Sequence, residues 1–234
     1  MIRLFTPYSL KSDTTVSMTQ NQVHYLFHVM RKKCGENVLL FNGQEGEWQA
    51  TIETLSKKNG TFTLVRQTRV QDETHGDILA VALIKKDCFD FVLQKATELG
   101  VREIIPLITA RTVVKQLNME RAQTILTEAA EQCERLDVPV LHEPQTLSNF
   151  LKNASCPMVY LSERGATSAP VSPDKTVCFV IGPEGGWHPD EIKQFETHPN
   201  ASALNLGRLI LRAETAAISI LAAHRFHLFN IKPK

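Results

Sequence analysis

Two glycine-containing loops are the part of this sequence best suited to bind a ligand. The first follows an apolar run at 177–181 and has the sequence Gly-Pro-Glu-Gly-Gly at 182–186. The second follows a strand-like segment at 203–206 and begins with Gly207. Glycine has no Cβ, so the backbone of such loops can approach a ligand closely. If both apolar runs are parallel strands, the loops form one crevice at the carboxyl edge of the sheet, where open α/β folds bind ligands.

The common phosphate-binding signatures do not match these loops. The sequence contains neither G-x-G-x-x-G nor G-x-x-x-x-G-K-[ST]. Pro183 also lacks the backbone N–H that a phosphate cradle would use. From the loop sequence alone, a tight turn with no ligand is as good an explanation as a binding loop.

The two loops together resemble the signature of a known class of enzymes. The segments are Ile-Gly-Pro-Glu-Gly-Gly at 181–186 and Leu-Gly-x-x-Ile-Leu-Arg-Ala-Glu-Thr-Ala at 206–216. This pair resembles the SPOUT class, the trefoil-knotted methyltransferases that bind S-adenosylmethionine.

Three further segments resemble one family within that class, the 16S ribosomal RNA uridine-N3 methyltransferases. They lie at 24–31 with Gly35, at 94–101 (Gln-Lys-Ala-Thr-Glu-Leu-Gly-Val), and at 128–132 with Arg135. All five segments occur in order, so the resemblance covers essentially the whole chain. One departure is that Leu209 stands where the family often has a basic residue, and Arg208 where a small residue or proline is usual.

The resemblance implies an α/β fold class with two domains. These are an N-terminal PUA-like β-barrel domain and a C-terminal α/β trefoil-knot methyltransferase domain. We predict the barrel at 1–70, a polar linker at 71–77 and the methyltransferase domain at 78–234. The residue pattern is consistent with this division, because Asn-Gly pairs at 42–43 and 59–60 indicate hairpins. One helix is expected to interrupt them, capped by Thr19, with Val23, Leu26, Phe27 and Met30 as its apolar stripe. Beyond residue 78, strand-like and helix-like segments alternate, as in α/β proteins, with strands expected at 103–108 and 158–161 and a long helix at about 119–136.

The resemblance assigns the cofactor S-adenosylmethionine to the glycine loops and to the end of an earlier strand. Backbone N–H and C=O groups of such loops can bind adenine, while aliphatic side chains form the walls. The alternative is that these aliphatic residues only pack the sheet. The predicted cofactor-binding residues are Leu161, Ser162, Ile181, Gly182, Pro183, Glu184, Gly185, Gly186, Leu206, Leu209, Ile210, Leu211 and Ala216.

Two residues of the second loop are candidates for catalysis. Uridine N3 bears a proton, and its loss places negative charge on the flanking carbonyl oxygens. A nearby cation would stabilise that charge, and Arg212 is the candidate. Glu214 could accept a proton or orient Arg212. Alternatively, Glu214 lies in the first turn of the last helix, where a carboxylate favours the helix dipole.

The net charge of +1 does not by itself indicate a nucleic-acid partner. An RNA-binding surface would therefore have to be local. The basic run at 31–33 is either a solvated loop or, beside Arg3 in an RNA-binding barrel, a set of phosphate contacts. The predicted RNA-binding residues are Arg3, Arg31, Lys33, Arg111 and Arg135.

Composition restricts the remaining possibilities. No apolar run approaches the roughly 20 residues that span a bilayer, and no secretory signal is visible, so we expect a cytoplasmic protein with no membrane partner. The five cysteines are scattered, which favours reduced thiols over a disulfide framework or structural zinc. The two histidine pairs with helical spacing, at 24 and 28 and at 224 and 227, have no obvious third ligand, so no metal is expected.

The predicted function is S-adenosylmethionine-dependent methylation of N3 of a uridine in 16S rRNA, with the small ribosomal subunit as the context. The resemblance also implies a homodimer, and the last helix ends in the apolar residues Phe226, Leu228 and Phe229, which a monomer would leave partly exposed. Two alternatives remain at this point. One is a knotted methyltransferase that acts on another RNA or base, and the other is a non-catalytic, ribosome-associated RNA-binding protein.

Overall fold

The computed structural model describes residues 1–72, 76–162 and 176–226. The chain divides into two compact units, each with its own core. The first comprises Met1–Thr74 and Ala130–Val138, and the second His75–Ala129 and Pro139–Lys234. Part of the predicted linker, 73–75, and the predicted apolar residues Leu228 and Phe229 lie outside the described residues.

The first unit contains a five-stranded sheet with the order β1-β3-β4-β5-β2. β1 pairs with β3 in parallel, and the other pairs are antiparallel. The predicted Asn-Gly pairs lie at the β3–β4 and β4–β5 connections, which are both hairpins. The strands are β1 Arg3–Phe5, β2 Thr15–Ser17, β3 Asn37–Phe41, β4 Glu47–Leu55 and β5 Gly60–Arg69.

One helix, α1 (Gln20–His24), precedes β3, and its start agrees with the predicted cap at Thr19. The Thr19 hydroxyl accepts a hydrogen bond from the backbone N–H of Gln22, and the Gln22 side chain accepts one from the backbone N–H of Thr19. The pattern predicts one α-helical stripe as far as Met30, which is wrong. The chain continues as a π-helix over Tyr25–Val29 and leaves the Met30 side chain 41% exposed.

A buried arginine joins the sheet of the first unit to its second chain segment. Arg3 Nε lies 2.6 Å from Glu47 Oε2, and both side chains are almost fully buried. The Arg3 guanidinium also donates to the backbone carbonyls of Ala130, Glu131 and Arg135. Arg3 therefore satisfies three carbonyl groups of the 130–138 segment while its charge is balanced by Glu47.

The second unit is a parallel sheet with helices. Its strand order is β12-β10-β11-β6-β7-β8, and β9 also pairs with β7. Every pair is parallel. The strands are β6 Ile78–Ala82, β7 Glu103–Ile108, β8 Val140–Leu141, β9 Gln145–Thr146, β10 Met158–Leu161, β11 Cys178–Ile181 and β12 Ala201–Leu204. The helices are α2 Lys86–Glu98, α3 Met119–Gln132, α4 Leu147–Asn153, α5 Pro189–Thr197 and α6 Ala213–Arg225.

The central strands of this sheet explain the apolar runs of the sequence. Every residue of β6 and β11 is buried, as expected for parallel strands that are covered on both faces. Two predicted boundaries are wrong. The long helix ends at Gln132 rather than Leu136, and Glu134 has a left-handed φ of 62°. The strand predicted at 203–206 is instead Ala201–Leu204, which places Leu206 in the following loop.

None of the helices in the described ranges is long and apolar enough to cross a membrane.

The Arg3–Glu47 pair gives a prediction about stability. Glu47→Ala leaves the Arg3 guanidinium buried without its counter-charge, which should lower the free energy of unfolding of the first unit by about 3–5 kcal/mol. Glu53→Ala is the control, because Glu53 is exposed on the same strand and should cost less than about 0.5 kcal/mol. Urea titration measures the free energy of unfolding of both variants. In a Trp187→Phe background, the fluorescence comes from Trp48 of the first unit alone. Equal losses in the two variants would contradict the prediction.

Candidate functional site

A cavity of about 550 Å³ lies at the carboxyl ends of three adjacent strands of the second unit. β10 pairs with β11 on one side and with β12 on the other, so the loops that follow these strands open at the same edge. Both glycine-containing loops line this cavity, together with Leu161 and Ser162 after β10. The predicted single crevice at the carboxyl edge of a parallel sheet is therefore confirmed.

The loop at 182–187 is held in a tight conformation. The Gly186 N–H donates to the Pro183 carbonyl over 2.9 Å, and Gly186 has a left-handed φ of 67°. At Gly182 the constraint is space, since a Cβ there would lie 3.0 Å from the indole ring of Trp187. Trp187 is itself fixed by a 2.7 Å hydrogen bond from its Nε1 to the carbonyl of Leu161. The loop is thus joined directly to the end of β10.

A second contact reaches this loop from the turn after β7. Arg111 Nη1 donates to the Gly185 carbonyl over 2.7 Å. The sequence predicts Arg111 as an RNA-binding residue, and the structure places it in the wall of the cavity.

The loop after β12 forms the opposite wall. The Gly207 N–H donates to the Asn205 side chain over 2.7 Å, and Gly207 has a φ of 116°. Beyond Gly207, Leu209 and Ile210 line the cavity but are 81% and 79% exposed. They lie at its rim rather than in a packed interior.

Arg212 and Glu214 lie where this loop enters α6. Arg212 is the N-cap residue, lines the cavity and has a side chain that is 83% exposed. Its Nη1 lies 4.0 Å from Glu214 Oε1, and the Glu214 side chain is only 14% exposed. Glu214 is in the first turn of α6, so the helix-dipole explanation of its position also fits.

The Cys88 thiol is a further neighbour of Glu214. Burial and, next, the Glu214 carboxylate raise the pKa of the Cys88 thiol. The raised pKa keeps the Cys88 thiol protonated at neutral pH. Within the described ranges, no group of three or more His, Cys, Asp or Glu side chains is placed to hold a metal ion.

Every residue that the sequence predicts as cofactor-binding lines this one cavity. Sequence analysis missed other lining residues. Three of them lie inside the second motif, and Trp187, Leu204 and Asn205 lie within two residues of a motif, so these six could have been inferred from adjacency. Ile192 comes from α5 and gives no signal in the sequence. The additional residues are Trp187, Ile192, Leu204, Asn205, Gly207, Arg208 and Ala213.

The predicted RNA-binding residues differ in burial and in their partners. Arg31 and Lys33 are exposed in the first unit, where Arg31 has a left-handed φ of 50°. Arg135 belongs to the same unit, and its Nε donates to Asp137 over 2.9 Å. Arg3 is a correction, because its buried guanidinium is occupied by Glu47 and by backbone carbonyls and offers no surface to a phosphate.

Comparison with known proteins gives matches along both units. Residues 73–225 match the family described as RNA methyltransferase domain, and residues 19–65 match the RNA methyltransferase PUA domain. Ribosomal RNA small subunit methyltransferase E of Rickettsia conorii is 33% identical over 95% of this chain and 94% of its own length. The protein of the same name from Synechocystis is 34% identical over 90% of this chain and 72% of its own length.

Solved structures are similar over nearly the full length. A methyltransferase from Legionella pneumophila, in complex with bound S-adenosylmethionine, has a TM-score of 0.89 at 32% identity, with 97% of each chain covered. Ribosomal RNA small subunit methyltransferase E from Neisseria gonorrhoeae, bound to S-adenosylmethionine, has a TM-score of 0.87 at 29% identity and covers 97% of this chain and 98% of that one.

The parallel sheet, the cavity at its carboxyl edge and these neighbours define an α/β methyltransferase fold of the SPOUT class with a PUA-like N-terminal domain, which confirms the predicted fold class. Within that class, the chain belongs to the RNA methyltransferase family that includes ribosomal RNA small subunit methyltransferase E.

The backbone at Gly186 gives a prediction for the loop. A side chain at this position has room, since nothing lies within 4 Å of a Cβ built there, but a left-handed φ costs a β-branched residue about 1–2 kcal/mol. Gly186→Val should therefore displace the loop, whereas Gly186→Asn should retain it, because asparagine tolerates this conformation. In a Trp48→Phe background, the emission of Trp187 should shift to the red in the valine variant only. The same emission maximum and melting temperature in both variants would contradict this.

Proposed function

We propose that this chain transfers the methyl group of S-adenosylmethionine to N3 of a uridine in 16S rRNA, with the small ribosomal subunit as the context of the reaction. The observation that supports this most strongly is the convergence of both glycine loops on one cavity. In the relatives from Legionella and Neisseria, a fold of the same kind holds S-adenosylmethionine.

The walls of the cavity suit this methyl donor. A volume of about 550 Å³ is within the usual range of small-molecule sites, roughly 300–1,000 Å³. Backbone groups of the 182–186 loop provide hydrogen bonds for the adenine, and the aliphatic side chains of Leu161, Leu206 and Leu211 provide apolar contacts. When bound, the cofactor supplies an electrophilic methyl group on a sulfonium, and that chemistry requires no metal. The chain then has to hold the nucleophile in line with this group.

Arg212 has the position and the exposure to act on the uridine. Its guanidinium is at the cavity wall and largely free of protein burial, so it can stabilise the negative charge that develops on the carbonyl oxygens beside N3. Glu214 lies close enough to orient Arg212, and its carboxylate is a candidate acceptor for the N3 proton.

The first unit would dock the RNA. We propose residues 1–70 as the docking domain, 71–77 as the linker and 78–234 as the catalytic domain, except that 130–138 belongs to the docking unit. Within the described residues, neither the Arg31 nor the Lys33 side chain makes a hydrogen bond or ion pair, whereas Lys32 pairs with Glu36 over 2.6 Å. Arg31 and Lys33 are therefore the available phosphate contacts, with Arg135 as a weaker candidate because of its pairing with Asp137.

A second copy of this chain would cover the apolar rim of the cavity. Leu209 and Ile210 at this rim are 81% and 79% exposed. Phe226, at the opposite end of α6 from the cavity, is 61% exposed. Exposed apolar residues next to a site are typical of an interface, so we propose a homodimer. Light scattering at micromolar concentration should give twice the chain mass. A monomer with full activity would contradict the dimer.

Two measurements test the function. Calorimetry with S-adenosylmethionine should show binding by the wild-type chain and by Gly186→Asn, with a loss in Gly186→Val. Mass spectrometry of 16S rRNA nucleosides should show N3-methyluridine in the parent strain, its absence after deletion of the gene, and its return on complementation. A different missing nucleoside would indicate another RNA target or base, and no change together with RNA binding would indicate a non-catalytic protein.

Arg212→Ala should slow the chemical step. Loss of one charge-stabilising group typically costs about 10²–10³ in rate. The dissociation constant for S-adenosylmethionine should change little, because backbone and apolar groups hold the adenosine. Single-turnover rates at saturating RNA measure this effect. Arg208→Ala is the matched control, since Arg208 is also exposed and lines the same cavity. Wild-type rates in Arg212→Ala would remove Arg212 from the mechanism.

Arg31→Ala and Lys33→Ala should weaken RNA binding without slowing chemistry. Each lost phosphate contact should lower the slope of log K against log salt by about one unit. Lys32→Ala is the control and should have a smaller effect, because Glu36 already neutralises Lys32. Filter binding across a range of salt concentrations gives the slopes. The docking assignment fails if these variants bind RNA normally but lose the single-turnover rate.

A further inference from the structure

The glycine loop at 182–187 is held from outside by a second turn of the chain. That turn follows β7, and it is compact. Its hydroxyl groups bond to each other, since Thr109 Oγ1 and Thr112 Oγ1 are 2.8 Å apart, and the Thr109 N–H donates to Thr112 Oγ1 over 3.0 Å. Both threonines are buried. This turn, at 109–112, is therefore rigid, and the Arg111 side chain extends from it.

Arg111 contacts the loop with both its charge and its aliphatic stem. The guanidinium donates to the Gly185 carbonyl over 2.7 Å. A Cβ built on Gly185 would lie 3.4 Å from Arg111 Cβ and 3.5 Å from its Cδ, so the stem lies against Gly185. The hydrogen bond fixes the direction of a carbonyl group in a loop that lines the cavity.

One buried carboxylate connects the 109–112 turn to the end of the glycine loop. Glu191 on α5 is only 6% exposed. Its Oε1 accepts the N–H of Ala110, the residue before Arg111, over 2.8 Å. Its Oε2 accepts the N–H of His188, the residue after Trp187, also over 2.8 Å. A buried charge needs such partners, and here both oxygens have one. Glu191 thereby fixes the distance between the backbone beside Arg111 and the residue that follows the glycine loop.

We propose that Arg111 and Glu191 are positioning residues. Through the Gly185 carbonyl and the end of the loop, they hold the glycine loop in the conformation that binds the methyl donor, and so set the affinity for it. This rests on the proposed function, in which S-adenosylmethionine occupies the cavity. Without the contacts made by Arg111 and Glu191, here called the brace, the loop adopts its binding conformation for only part of the time. The apparent dissociation constant for the methyl donor then rises by the inverse of that fraction. Arg111 therefore acts on the cofactor loop and not, as predicted from the sequence, on RNA phosphate.

The test compares two arginines that make the same kind of contact. Arg225 Nη1 donates to the Leu99 carbonyl over 2.9 Å from an exposed side chain, as Arg111 does to Gly185. Calorimetry well below the melting temperature gives the dissociation constants for S-adenosylmethionine and S-adenosylhomocysteine. Arg111→Met should raise both by about tenfold, the equivalent of one charge-assisted hydrogen bond, and Arg225→Met should change them less than about twofold. Arg111→Lys, which keeps one donor, should recover part of the affinity.

Glu191 is tested against another glutamate of the same helix. Glu191→Gln replaces one acceptor oxygen by an N–H donor, so one of the two backbone N–H groups loses its partner. We expect about tenfold weaker binding of the methyl donor by the folded protein, and faster amide exchange at Ala110 and across 182–187. Glu196→Gln, at an exposed position of α5, should leave both unchanged.

The outcomes separate this inference from the function on which it rests. If Arg111→Met binds the methyl donor like the wild type, or if Glu191→Gln lowers only the melting temperature, the brace is overturned while the wild-type activity still stands. If Arg111→Met keeps its affinity for the donor but loses RNA affinity and salt slope, Arg111 is an RNA contact and the inference is wrong. Failure of the wild-type chain to bind S-adenosylmethionine would instead overturn the proposed function.

Discussion

Parallel pairing of β10 with both β11 and β12 is the constraint on which the site depends. Tyr160 pairs with Val180, and Leu161 pairs with Leu204, so the three strands end at the same level. Strands in a sheet are about 4.8 Å apart, which places the ends of β11 and β12 roughly 10 Å from each other. The loops after these two strands therefore form two walls with a gap between them. Leu161 and Ser162, at the end of β10, form the floor of that gap.

The walls keep this gap open because side chains of the protein hold each loop. Trp187 connects the first loop to the floor through the Leu161 carbonyl, and Arg111 holds it from the other side through Gly185. In the second loop, the Asn205 side chain accepts the N–H of Gly207. These contacts are local polar bonds made at the edge of an apolar sheet.

The sequence predicts the strands of the second unit well where they are runs of apolar residues. β7 at Glu103–Ile108 and β10 at Met158–Leu161 have the predicted bounds, because buried parallel strands are uninterrupted apolar runs. Short or partly polar elements escape this signal. β1 and β2 have three residues each, and their formation depends on pairing with β3 and β5, which are distant in sequence. The π-helical turn after His24 likewise has no signature in apolar periodicity.

For the site, the sequence predicts the lining residues better than their individual contacts. Arg3, Arg111 and Arg212 are equivalent by residue type, and each is assigned on that basis to RNA or to charge stabilisation. The structure separates them by burial and partner. Arg3 is enclosed with Glu47, Arg111 is bonded to a loop carbonyl, and Arg212 is exposed at the cavity wall. These differences depend on contacts with residues far away in the chain, so no local pattern contains them.

The glycines of the first loop show the same limit in a different way. From the sequence, one reason accounts for all of them, namely close approach of the backbone to a ligand. In the structure each has its own constraint within the protein. The indole of Trp187 occupies the space beside Gly182, the stem of Arg111 lies against Gly185, and Gly186 has a left-handed φ. The conformation of the loop is therefore set by contacts within the protein, from Trp187 in the loop and from Arg111 outside it, before any ligand binds. A substitution at Gly182 should act through Trp187, one at Gly185 through Arg111, and one at Gly186 through its own backbone φ. The motif therefore combines three separate requirements within five residues.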